Sequence, residues 1–138
     1  MGGHLPDLVR PNRLTIIDYL APDATGMWKI AELHEQLNAK IDNGIILVAM
    51  QKAKGRDVAF GGDFSAQVPS VFISIDEGLA KITKAKEYDD EKVSDPKGKI
   101  MSFTLSKGFH FESQDYWHRK EDTEVLPKYP DPYGTRKS

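Results

Sequence analysis

Two apolar runs separated by one amphipathic segment constrain the fold of this chain more than any other feature. Residues 14–20 (LTIIDYL) and 44–51 (GIILVAMQ) are β-branched and almost continuously apolar. Such runs are typical of strands buried on both faces of a parallel sheet. Between them, residues 27–41 carry apolar side chains at helical spacing and charged side chains on the opposite face. The pattern therefore predicts a right-handed βαβ unit.

Residue types suited to caps flank the expected helix. Asp23 or Thr25 precedes its first turn and is of the type that accepts hydrogen bonds from free N–H groups there. Asn43–Gly44 follows its last turn and is suited to the left-handed conformation that ends many helices. We therefore expect the helix to begin after these capping residues and to close at Asn43–Gly44.

The second half of the chain predicts hairpins. Residues 52–69 contain three glycines and three basic side chains without a hydrophobic period, which indicates a long loop. Segments with strand character, joined by short turns, then follow at residues 70–75, 79–87, 99–106 and 109–111. The expected fold class is α/β, with a parallel βαβ unit followed by antiparallel hairpin strands.

The chain divides into three parts by composition. Residues 1–13 form a lead-in segment, and residues 14–112 form the α/β domain. Residues 113–138 combine three prolines with mixed charge and no apolar period, which predicts a poorly ordered C-terminal tail.

Composition excludes several classes of function. The chain has no cysteine, so disulfides, thiolate metal sites and cysteine nucleophiles are ruled out. The four histidines show no metal-ligand spacing. A net charge of -2 provides no overall basic field for nucleic acid, so any such contact needs a local patch. The longest apolar run is far shorter than the roughly 20 residues of a membrane span. We expect a cytoplasmic protein without a membrane partner.

Two polar side chains stand at the carboxyl ends of the apolar strands. In open α/β sheets this edge borders the ligand crevice. A carboxylate such as Asp18 can hold Mg²⁺ beside a nucleotide phosphate, and an amide such as Gln51 can sense that phosphate. The alternative is that Asp18 only ends a strand and caps the next turn, and that Gln51 is an ordinary strand-end residue.

The loop after the second strand combines cations, glycines and one aromatic ring. Charges that meet phosphates and a ring that stacks on a base are what a groove for single-stranded DNA uses. The candidate DNA-binding residues are Lys52, Lys54, Arg56, Phe60, Gly61 and Gly62. Asp57 and Asp63 reduce the local charge, so a solvated surface loop is the alternative.

The order of these pieces resembles the C-terminal half of a RecA-like P-loop ATPase core, nearest to DnaB-type replicative helicases and phage RecA-like recombinases. The resemblance covers residues 8–112. Its parts are similar to the Walker B strand (14–20), the sensor strand (45–52), the DNA-facing loop (55–62), the lysine-x-arginine pair (84–86) and the closing hairpin (95–111).

The resemblance implies an ATPase fragment from DNA replication or recombination. Asp18 would hold magnesium, Gln51 would act as the sensor, and Lys84 and Lys86 would reach the nucleotide of a neighbouring subunit. Lys86 replaces the arginine of the family pattern. No Gly-x-x-x-x-Gly-Lys-[Ser/Thr] segment occurs in residues 1–138, so Mg²⁺ and ATP would require a partner or a further segment that supplies this Walker A element.

The implied partners are single-stranded DNA and either further copies of the chain or a chain that carries the missing half. A different class of function is also open. The chain could be a non-catalytic α/β interaction or regulatory module that keeps the fold and binds a partner protein.

Overall fold

A computed structural model describes residues 5–21, 26, 28–86 and 94–121. Within these residues the chain forms one α-helix and six strands. The elements are β1 (Leu14–Leu20), α1 (Lys29–Asn38), β2 (Ile45–Met50), β3 (Val71–Asp76), β4 (Leu79–Ala85), β5 (Ile100–Ser106) and β6 (His110–Ser113). Two short 3-10 helices cover Leu5–Leu8 and Gly62–Ala66. No helix in the described part of the chain is both long and apolar enough to cross a membrane.

The predicted strand–helix–strand order with parallel strands is confirmed. Strands β1 and β2 pair in parallel, from Leu14 opposite Ile45 to Leu20 opposite Met50, and α1 connects them. The register shifts between Ile17 and Leu20, where the Asp18–Tyr19 peptide bond is cis. The buried residues of α1 lie at helical spacing: Ile30, Ala31, His34 and Leu37. An amphipathic helix thus crosses over between two parallel strands, as the hydrophobic spacing indicates.

The expectation that these strands are buried on both faces is wrong. Alternate residues on one face of the pair, Leu14, Ile16, Ile45 and Leu47, are each 58–66% exposed. Residues on the other face of the pair are half-buried. A single crossover helix covers only one face of a sheet, and all-parallel sheets normally have both faces covered. The parallel pair therefore presents an open apolar face.

The other four strands form an antiparallel sheet in the order β3-β4-β5-β6. Gly78, at φ 73°, makes the tight turn between β3 and β4. Across β5 and β6 the rings of Phe103 and Phe111 stack with centroids 5.1 Å apart. The predicted hairpin strands are confirmed, and the chain is of mixed α and β structure.

The segment after β6 continues to pair with β5. Ile100 and His118 exchange two backbone hydrogen bonds of 2.8 and 3.0 Å. The Asp115 carboxylate accepts a hydrogen bond from the backbone N–H of Ser102 at 2.6 Å. Most of the predicted tail, residues 122–138, lies outside the described residues.

The predicted left-handed closure at Asn43–Gly44 is wrong in its position. Helix α1 ends at Asn38, and the left-handed residue of the following turn is Asp42, at φ 48°. Gly44 serves a different purpose, because a Cβ there would lie 2.6 Å from the Arg13 carbonyl oxygen. The suggested N-terminal caps, Asp23 and Thr25, lie outside the described residues.

Substitution of Gly44 by alanine should destabilise the fold. The new methyl group would meet backbone oxygens of Arg13 and Ile41, at 2.6 and 2.8 Å, and backbone cannot swing aside as a side chain can. We expect a loss of about 1–3 kcal/mol in the free energy of unfolding, the usual cost of overpacking. Urea denaturation followed by circular dichroism measures this loss.

Gly26→Ala is the matched control. The three atoms nearest to its Cβ all belong to the flexible side chain of Lys29, the closest at 2.8 Å, and the change should stay within about 0.5 kcal/mol of wild type. Equal stabilities for the two variants would contradict the close backbone approach at Gly44.

Candidate nucleic-acid interface

The two strand-end residues predicted from the sequence lie toward the same edge of the parallel pair. Leu20 is opposite Met50 in the register, so Asp18 in β1 and Gln51 after β2 belong to the carboxyl edge. Both residues are exposed. Within the described residues, neither side chain has a hydrogen bond or an ion pair. The edge thus presents one carboxylate and one amide that no other described residue binds.

The loop that leaves this edge is folded back at its base. The backbone N–H of Phe60 donates to the Gln51 carbonyl oxygen at 2.9 Å, which closes the segment between them. Inside this closure, Arg56 N–H donates to the Ala53 carbonyl oxygen at 3.1 Å, and Gly55 adopts a positive φ of 73°. Gly61 and Gly62, at φ 106° and 57°, then turn the chain into its 3-10 helix. These glycines shape the loop backbone.

An ion pair fastens the start of the loop to the antiparallel sheet. Lys52 Nζ lies 2.6 Å from the Asp76 carboxylate at the end of β3, and the Lys52 side chain is only 12% exposed. The same carboxylate accepts a hydrogen bond of 3.2 Å from Gly55 N–H. The Lys52 hydrogen bond, and then the Gly55 one, lowers the pKa of Asp76 below its usual value. Lys52 is thus engaged within the fold, and its contact with DNA stays a prediction.

The two other loop cations are exposed. Lys54 and Arg56 have no ion-pair partner among the described residues. Two nearby acidic side chains are paired with other lysines, since Asp76 binds Lys52 and Asp57 lies 2.6 Å from Lys81 Nζ. The unpaired cations of the loop are therefore Lys54 and Arg56, and Asp63 after the loop has no partner among the described residues. Phe60, at 52% exposure, lies at the end of the same loop.

Lys84 and Lys86 point to a backbone carbonyl of their own chain. Lys84 Nζ donates to the carbonyl oxygen of Gln67 at 2.6 Å and also to that of Ala66. Lys86 Nζ donates to the same Gln67 oxygen at 3.4 Å. Desolvation, followed by the charge of Lys86, lowers the pKa of Lys84. The two lysines here cap the Gly62–Ala66 helix, and their action on a neighbouring nucleotide stays a prediction.

The residues that the structure describes do not by themselves complete a magnesium–ATP site. Asp18 offers one carboxylate, and the described residues contain no cluster of three or more side chains suited to holding a metal ion. Mg²⁺ is commonly bound by one or two carboxylates together with substrate phosphates, which must themselves be held. Residues 1–138 contain no phosphate-loop motif that would hold them.

His34 is a notable side chain that the sequence analysis passed over. It is 5% exposed, and neither ring nitrogen has a hydrogen-bond partner in the described structure. Burial lowers its pKa, so the ring is neutral near pH 7. The sequence signal for this burial is the position of His34 on the apolar face of α1, four residues after Ile30 and three before Leu37.

The stability of the protein should fall when His34 becomes protonated. Its pKa is near 6.5 in the unfolded chain and lower in the folded protein. Stability from the neutral ring is therefore present above pH 6.5 and is lost as the pH falls toward the folded-state pKa. Urea unfolding between pH 7.5 and 5 should show this decline, and His34→Leu should reduce it.

The exposed His110 provides a matched control. His110→Leu should leave the decline with falling pH as in wild type. A decline as large in His34→Leu as in wild type, or one that disappears in His110→Leu, would contradict a buried, unpartnered His34.

Comparisons of the chain with family models, curated proteins and solved structures found no match. The features of the molecule that bear on its function are the loop between β2 and β3, its anchoring ion pair and the side chains that it leaves exposed.

Proposed function

We propose that this chain is a RecA-like fragment of DNA replication or recombination machinery that binds single-stranded DNA through residues 51–62. The observation that carries the proposal is the anchored loop at the carboxyl edge of β2. Lys52 and Gly55 are tied to Asp76, while Lys54, Arg56 and Phe60 are left exposed.

The chemistry of the exposed groups favours a single strand over a duplex. Lys54 and Arg56 lie two residues apart and can neutralise neighbouring phosphates, and Phe60 offers a ring on which an unpaired base can stack. Two cations give a weak site in a chain whose net charge is -2. Several such loops in a homo-oligomer would raise the affinity through multivalency.

ATP hydrolysis would depend on a phosphate loop that a partner or a further segment supplies. Asp18 would hold magnesium and Gln51 would act as sensor only beside that loop, and Mg²⁺ and ATP would be cofactors only of the completed site. Lys84 and Lys86 would act on a neighbour's nucleotide only after release from the Gln67 carbonyl oxygen. The isolated chain is proposed to be inactive as an ATPase and to work in the cytoplasm.

Single-stranded DNA binding should depend on Lys54 and Arg56. Fluorescence anisotropy with a labelled oligothymidylate at low salt should show weak, salt-dependent binding. Lys54→Ala/Arg56→Ala should weaken it and reduce the slope of log affinity against log salt by about 1.4, or about 0.7 for each lost contact. Phe60→Ala should cost about 1–3 kcal/mol of binding free energy, with little dependence on the base.

The control removes the same charge elsewhere. Lys40 and Lys97 are exposed and lie outside the loop, and Lys40→Ala/Lys97→Ala should bind like wild type. Binding that ignores salt, or equal losses in the two double variants, would show that the loop is only a solvated surface.

The second candidate is a non-catalytic interaction module. It is favoured by the open apolar face of the parallel pair and by the internal engagement of Lys84 and Lys86. This candidate predicts no DNA binding by the wild-type chain in the same anisotropy experiment, so the two functions give opposite results.

A further inference from the structure

Two unpaired arginines line one groove at the amino end of β1. The groove has a volume of about 780 Å³ and is lined by side chains of residues 8–16, among them Arg10 and Arg13. Both arginines are exposed, and neither side chain has a hydrogen bond or an ion pair within the described residues. The groove therefore presents two positive charges that the described part of the chain does not neutralise.

The backbone around these arginines is fixed by contacts on both sides. Val9 is buried, and its N–H donates to the Pro6 carbonyl oxygen at 3.3 Å. Asn12 adopts a positive φ of 59° and is tied to the segment between α1 and β2. Its N–H donates to the Ile41 carbonyl oxygen at 3.1 Å, and its side-chain oxygen accepts from the Asn43 N–H at 3.4 Å.

The backbone of Arg13 itself lies against the start of β2. Its carbonyl oxygen accepts a hydrogen bond of 3.0 Å from the Ile45 N–H, and Gly44 approaches the same oxygen closely. A backbone that is already fixed loses little conformational freedom when a ligand binds. The chain thus presents the two guanidinium groups from a preorganised segment.

The charge of the groove favours an anionic ligand. None of the described residues that line it is acidic. Asp7 precedes the lining residues, and Asp42 lies between α1 and β2, but neither is part of the lining. A guanidinium group is planar and weakly hydrated, and it binds a carboxylate through two parallel hydrogen bonds. Two such groups beside one groove suit a ligand with more than one carboxylate.

Apolar side chains lie beside the two charges. Leu8, Leu14 and Ile16 line the same groove, and each is 62–64% exposed. Contiguous apolar side chains that are exposed to this degree mark an interaction surface. The ligand that fits this groove therefore carries apolar groups next to its negative charges.

The nature of the lining favours a protein segment over nucleic acid or a small molecule. None of the described lining residues is aromatic, so the groove offers no ring on which a base can stack. Small-molecule sites bury most of the surface of their ligand, whereas the apolar side chains here are more than half exposed. Protein interfaces commonly combine apolar area with arginine.

The groove and the loop proposed to bind DNA lie at opposite ends of the parallel pair. Leu14 begins the register opposite Ile45, whereas the loop leaves β2 at its carboxyl end, after Met50. A ligand in the groove is therefore bound by residues that the DNA site does not use. This inference does not depend on DNA binding by residues 51–62.

We propose that residues 8–16 bind an acidic segment of a partner protein, in which carboxylates flank one or two apolar side chains. Arg10 and Arg13 pair with the carboxylates of that segment. Its apolar side chains cover the exposed leucines and the isoleucine of the groove.

The test uses a fluorescent peptide in which two leucines lie between pairs of glutamates. We expect saturable binding to the wild-type chain that weakens as the salt concentration rises. A peptide with glutamine in place of each glutamate should bind at least about tenfold more weakly, because it offers no charge to the arginines. Absence of saturable binding, or equal binding of the two peptides, would overturn the proposal.

Variants of the chain locate the binding site. Arg10→Gln/Arg13→Gln should weaken binding of the glutamate peptide at least about tenfold. Lys97→Gln/Lys107→Gln removes the same charge from exposed positions outside the groove and should bind like wild type. Circular dichroism checks that both variants are folded. Equal losses in the two variants would show a general effect of charge and would overturn the proposal.

Competition and sedimentation test the other occupants. An oligothymidylate should not displace the peptide, and displacement would place nucleic acid in the groove and overturn the proposal. Sedimentation should show no self-association that Arg10→Gln/Arg13→Gln abolishes, since such self-association would make a second copy the occupant.

Single-stranded DNA binding separates this inference from the proposed function. Arg10→Gln/Arg13→Gln should bind the oligothymidylate as Lys97→Gln/Lys107→Gln does, because the two variants have the same net charge. Loss of DNA binding in the loop variant Lys54→Ala/Arg56→Ala should leave peptide binding intact. Loss of peptide binding in that loop variant would overturn the separation of the two sites.

Discussion

The ion pair between Lys52 and Asp76 joins the two sheets of this protein and positions its candidate site. Lys52 follows the last strand of the parallel pair, and Asp76 ends the first strand of the antiparallel sheet. The same carboxylate also holds the Gly55 N–H, so it fixes the backbone where the loop turns. One acidic side chain thus connects the ends of two strands and binds the backbone of the loop that follows β2.

The open apolar face is the second constraint on function. The parallel pair exposes the apolar side chains of Leu14, Ile16, Ile45 and Leu47. In a complete parallel sheet, helices cover such side chains on both faces. Together with the unpaired edges of β2 and β3, this surface favours a function in assembly, whether or not the loop also binds DNA.

Local patterns in the sequence predicted the elements, since the apolar run 14–20, the helical spacing of Ile30 and Leu37, and the Gly78 turn each act within a few residues. What they could not predict depends on contacts distant in the sequence. The local sequence predicts that Lys52 contacts DNA, because its ion-pair partner Asp76 lies 24 residues away and no local pattern indicates that pair. The sequence predicts burial of β1 on both faces, because it shows that the strand is apolar but not how many helices cover the sheet. The RecA-like resemblance and the roles of Asp18 and Gln51 stay predictions.

The affinity of Asp76→Ala for single-stranded DNA tests the central claim most directly. If charge alone mattered, Asp76→Ala should strengthen DNA binding, because it removes an acidic residue and releases Lys52. Asp63→Ala is the control, because it removes an acidic side chain that anchors nothing in the described structure and should also strengthen binding. If Asp76 positions the loop, Asp76→Ala instead weakens binding, while Asp63→Ala strengthens it. Stronger binding by Asp76→Ala, to the same degree as by Asp63→Ala, would contradict the account.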